Sequence, residues 1–180
     1  MSREIPEHLR PLVDRAISAA RELIEKGGEL PGVAFIDTNM DTDPGKPGFV
    51  VIPMSMVGAA LPVGMTGGDV KDAWAKMVQF AARATEARFV MVVSEVWYVD
   101  DPAHAANHDA ILKQYGSLQN APMSIEGITF VVETHAGNWM GLAPLTKTGG
   151  KKSFGEVKLG LANATGRLFG LLGAPKGSKH

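Results

Sequence analysis

Two histidines four residues apart, His104 and His108, follow closely on the apolar run Phe89–Val99. On a helix that spacing puts both imidazoles on one face, about a turn from each other, where they can hold one metal ion. Glu133 and His135 are two apart, so on a strand they point to the same side. Glu95 lies inside the apolar run and shares its face with Val93 and Trp97. If the strands carrying Glu95 and Glu133 are neighbours, all five groups converge on a divalent metal. His104, His108 and His135 would then be the ligands, and Glu95 or Glu133 would take the proton from a bound water, the chemistry of a small metal-dependent hydrolase. The competing reading is structural. His104 and His108 share their face with Ile111, Leu112 and Tyr115, as residues at the rim of a core do. The segment His104-Ala-Ala-Asn-His108 also lacks the glutamate that His-Glu-x-x-His metalloproteases use as a base.

A second set of oxygen donors alternates along Asp37-Thr-Asn39-Met-Asp41-Thr-Asp43. The opening matches a calcium loop, but Thr42 stands where the sharp turn wants glycine, and Gly48 where the bidentate glutamate belongs. An acidic surface loop stiffened by proline accounts for it better.

A third set concerns association rather than chemistry. Met54-Ser-Met56 through Met65 is a long uncharged stretch, and methionine adapts to irregular partners. Phe169 sits among small residues in Gly166-Arg-Leu-Phe-Gly170. Charge is uneven as well. Residues 1–146 carry 11 basic and 18 acidic side chains, whereas residues 147–180 carry seven basic ones against Glu156 alone. Lys151 and Lys152 lead that basic end, which is expected to meet the acidic body of a neighbouring subunit.

The wider composition narrows the field. The chain has 180 residues and no cysteine, which excludes disulfides, thiolate nucleophiles and Cys-ligated zinc and suits a reducing, cytoplasmic setting. The first residues have no apolar signal core. Phe49–Gly68 is uncharged but broken by Pro53, Pro62 and its glycines, so it is not a membrane span. No phosphate loop and no Gly-x-Ser-x-Gly elbow occurs. The basic end lacks interleaved aromatic residues, which disfavours nucleic acid as partner.

The elements that must position these residues follow from periodicity. Leu9, Leu12, Val13, Ala16, Ile17, Ala20, Leu23 and Ile24 predict a helix over 10–26, ended by Gly27-Gly28. Val33–Ile36 and Phe49–Ile52 read as strands. Asp69 is the expected N-cap of a helix over 69–87, with Phe89–Val99 following at once. Asp101-Pro102 predicts the start of a helix reaching Tyr115. Residues 127–135, 139–146 and 154–159 read as an antiparallel meander, with Ala136-Gly137-Asn138 as a hairpin link. A helix over 162–172 and a polar tail over 173–180 close the chain.

The expected fold is therefore α+β or mixed α/β. One domain over 1–180 holds a central, largely antiparallel sheet of about five or six strands, with helices mainly on one face. The expected function is that of a non-catalytic interaction or assembly protein, acting as a homo-oligomer or complex subunit without a cofactor. Met54, Met56, Met65, Lys151, Lys152 and Phe169 are its candidate interface, and the metal-dependent hydrolase is the alternative.

Overall fold

Phe89 to Val93 is an unbroken apolar run, and all five side chains are buried. A strand that reads this way must be covered on both faces, and this requirement organises the molecule. The computed structural model describes residues 4–27, 30, 32–38, 48–60, 66–102, 106–162 and 170–172. In chain order the elements are α1 (Arg10–Glu25), β1 (Val33–Asp37), β2 (Phe49–Pro53), α2 (Met54–Ala60), α3 (Gly67–Ala84), β3 (Phe89–Tyr98), α4 (His108–Tyr115), β4 (Ile125–Thr134), β5 (Gly137–Thr148), β6 (Lys151–Phe154) and β7 (Gly160–Leu161). The chain is mixed α+β, and its sheet runs β2-β1-β3-β4-β5-β6 with β7 also on β5. Every pairing is antiparallel.

The helices do not share a face, contrary to expectation. The apolar stripe of α1 (Val13, Ala16, Ile17, Ala20, Ile24) packs on Phe35, Phe89, Met91, Val93, Ile128, Phe130 and Val132. Helix α3 sends Trp74, Val78 and Ala82 to the opposite side, against Ala34, Ile36, Val90, Val92 and Val131. Successive strand residues alternate between these two cores, as period-two geometry demands. The buried Trp74 indole donates to the Ile52 carbonyl at 3.0 Å, which fastens α3 to β2.

Several boundaries differ from the sequence reading for local reasons. The N-cap of α3 is Thr66, and Asp69 is its N3 partner. Thr66 Oγ1 accepts from the Asp69 N–H, and the Asp69 carboxylate accepts from the Thr66 N–H at 2.9 Å. Helix α2 begins directly after Pro53, so the uncharged stretch is helical over Met54–Ala60. The β4–β5 turn is His135-Ala136, one residue earlier than expected, because the Thr134 hydroxyl accepts from Ala136 N–H at 3.0 Å. Gly149 and Gly150 both have positive φ, which suits the tight β5–β6 hairpin. Between β6 and β7 the pairing with β5 slips by one residue, from Leu145↔Phe154 to Met140↔Gly160, as across a bulge. Gly170 has φ of 78° and residues 170–172 form a bend, so the described end of the expected 162–172 helix is not helical. Ala162 bonds the Asn138 carbonyl instead of starting a helix, and residues 163–169 and the 173–180 tail lie outside the described residues.

Candidate functional site

The two candidate catalytic carboxylates lie far apart on the sheet. On β4, Glu133 pairs with Val90 of β3, while Glu95 of β3 pairs with Ile128. Five residues along a strand is about 16 Å. The two carboxylates also point to opposite faces, Glu95 toward the α1 side and Glu133 toward the α3 side. His135 is an exposed residue of the β4–β5 turn rather than a strand neighbour of Glu133. His108 opens α4, about half exposed, with Asp109 at 3.8 Å. A hollow of about 320 Å³ beside it is lined only by residues 106–110 among the described residues, so no second element contributes a ligand. His104 lies outside the described residues. Among those described, no group of three or more His, Asp or Glu side chains could hold a metal ion.

Of the acidic donors in 37–43, Asp37 is described, and it is committed elsewhere. Asp37 is fully buried at the end of β1 and is taken by Arg88, whose Nε and Nη2 donate to it at 2.6 and 3.0 Å. The Arg88 backbone N–H adds a third contact at 3.3 Å. This forked pair joins the end of β1 to the start of β3. Asn39, Asp41 and Asp43 lie outside the described residues.

Of the candidate interface residues, Lys152 is engaged within its own chain. Its Nζ donates to Glu95 Oε2 at 2.9 Å and to Glu126 Oε1 at 3.1 Å. Lys147 pairs with the other oxygen of Glu126. Glu95 Oε1 in turn accepts from the Leu30 N–H at 3.0 Å. All four charged side chains sit on the α1 side, beyond the end of that core. The hydrogen bond from Lys147, joined by Lys152 and opposed by partial burial, holds the Glu126 carboxyl below its ordinary range. The Glu95 contact, again against burial and helped by Glu126, raises Lys152. In a flat sheet, β3 and β6 would lie three strand spacings apart, about 14 Å. The Glu95–Lys152 contact therefore requires the curl that brings β6 back toward α1. Arg21 of α1 secures that curl, donating to the Gly155 carbonyl at 3.0 Å with its guanidinium over the Phe154 ring.

Met54 is half-buried and packs into the α3-side core, with its methyl group in the space a side chain at Gly32 would need. Met56 and Lys151 are exposed. Met65 and Phe169 lie outside the described residues.

The surface that sequence reasoning missed is on β5. Its inward positions Trp139, Gly141 and Ala143 are buried, and the alternate positions Met140, Leu142 and Pro144 are exposed. A one-sided antiparallel strand ordinarily turns polar groups outward. Here three consecutive outward residues are apolar, with Met140 at 47% and Leu142 at 42% exposure. They continue the α3-side face beyond Val131, which is covered. The signal was present in Trp139-Met-Gly-Leu-Ala-Pro144, which is apolar at both parities rather than alternating.

A cleft of about 380 Å³ separates α1 from the β6–β7 connection, with Ile5, Val13, Ile17, Val157 and Leu159 among its walls. Glu4, Arg10, Asp14, Glu156 and Lys158 line it too. Arg10 bonds Glu4 across it, so the cleft offers no single chemistry. Compared with known proteins, the chain matches no family model, no curated protein and no solved structure.

Proposed function

We propose that this chain is a non-catalytic interaction or assembly protein, a single cytoplasmic domain that acts as a homo-oligomer or as a subunit of a complex. The observation that carries this reading is the row Met140, Leu142 and Pro144, apolar and exposed on a sheet face. Contiguous apolar surface of this kind gains free energy when another surface covers it. Exposed Met77 and Phe80, one turn apart on α3, add a second such surface, Phe80 at 75% exposure. The internal use of Glu95, Glu126, Lys147 and Lys152 supports the same reading, since these groups act as structural ties. It also moves the interface away from the basic residues and onto apolar ones.

The test is mass in solution, by light scattering or sedimentation at micromolar concentration. The native chain should run as an oligomer, and Leu142→Lys should yield a folded monomer. A native chain that remains monomeric at high concentration would sink the homo-oligomer. A subunit of a hetero-complex would then be recognised only by a partner whose binding Leu142→Lys abolishes.

A further inference from the structure

Glu133 is a buried carboxylate on the α3-side face of β4, 8% exposed, beside the apolar core of that side and paired across the sheet with Asn138. Carboxylates in such places ordinarily take an arginine or lysine partner. This one instead accepts two consecutive backbone N–H groups, from Leu171 at 2.9 Å and Leu172 at 3.0 Å. On the other side of the same three residues, Gln79 Nε2 of α3 donates to the Gly170 carbonyl at 3.2 Å. Leu171 and Leu172 are buried against the α3-side core, 1% and 6% exposed. Positive φ at Gly170 precedes the two N–H groups, and successive N–H groups in such a bend form an anion-binding concavity.

We propose that Glu133 and Gln79, with the apolar floor between them, form a peptide-acceptor site that this chain fills with its own Gly170-Leu171-Leu172. The site reads backbone through Glu133 and Gln79, and it reads two adjacent leucines through burial. Its ligand class is a segment carrying Gly-Leu-Leu, supplied in cis here and, on release, by the same residues of a second copy. Among the described residues, both hydrogen bonds to the Glu133 side chain come from this strap, so its release would empty the acceptor. When it lifts, water reaches the carboxylate, so release does not strand a dry charge. This inference is independent of the β5 surface.

The full-length chain is tested in two ways. Amide exchange should show Leu171 and Leu172 opening at least about tenfold faster than Val131 and Val132. Equal protection would make the strap part of one cooperative unit and overturn the proposal. A fluorescent peptide with the sequence of residues 168–176 should then bind full-length Leu171→Ser, whose own strap is weakened and no longer competes at high effective concentration. The same peptide N-methylated at the residue matching Leu172 lacks one donor and should bind at least about tenfold more weakly. Equal binding of the two peptides, or none by either, would overturn it. If Leu171→Ser does not fold, the exchange rates of the native chain decide alone.

Discussion

Glu126 is a half-buried carboxylate engaged by its own chain. It holds two lysines from β5 and β6, and those contacts keep its carboxyl below the ordinary value of 4.5. A carboxyl lowered on folding contributes stability above its unfolded pKa and loses it as pH falls through the folded value. Lys152 is raised from 10.5, so its contribution is complete below that value and fades only at higher pH. Glu126→Gln should therefore cost about 1–3 kcal/mol, constant from about pH 6 to pH 9, and the difference from the native chain should vanish in acid. Denaturant melts at several pH values would show this. A difference that persists unchanged below pH 3 would mean that packing, not charge, is what Gln disturbs. The same four-group tie explains why Lys152 reads as an interface residue in one dimension. Its partners Glu95 and Glu126 lie 57 and 26 residues away in sequence, and only the curl of the sheet joins them.

At the level of elements, the chain announced most of its parts. The α1 stripe, the Phe89 strand and the β4–β5 hairpin follow from periodicity and turn chemistry, and these are local signals. What periodicity does not carry is which neighbour each face meets. The unbroken run Phe89–Val93 did imply cover on both sides, yet the sequence reading put the helices on one. Glu95 and Glu133 do not meet for a related reason: successive positions of a strand face opposite cores, and the β3–β4 register sets these two five residues apart and on opposite faces. The break between β6 and β7 is equally invisible in the sequence, where 154–159 reads as one strand, and it coincides with a tertiary contact. A side chain at Gly141 would meet the Lys158 carbonyl at 2.9 Å and the Leu159 side chain at 2.9 Å. Gly141→Ala should thus push the connection off β5, cost about 1–3 kcal/mol and speed amide exchange at Ala162, whose N–H donates to the Asn138 carbonyl of β5 at 2.8 Å, before it affects β3 or β4. Unchanged protection at Ala162 would show that the connection can absorb a methyl group.

For the whole molecule, the relevant contrast is between two forces that could join copies. The sequence suggests electrostatics, because residues 147–180 are strongly basic and the remainder acidic. In the fold, Lys147 and Lys152, two of those seven basic residues, are already paired with acidic residues of β3 and β4 within one chain. The β5 row carries no charge at all, and a surface without charge can meet its own copy without repulsion. The two forces respond oppositely to ionic strength. Attraction between exposed charges weakens as the screening length falls from about 10 Å at 0.1 M salt to about 3 Å at 1 M. Apolar association holds or strengthens under salts such as sulfate. Association of the native chain should therefore survive 1 M sodium chloride and tighten in sulfate, and Lys151→Glu should leave it unchanged. Sedimentation across that salt series, with Leu142→Lys as the monomeric reference, distinguishes the cases. Dissociation at 1 M salt would return the interface to the lysines and leave the β5 row as mere exposed surface.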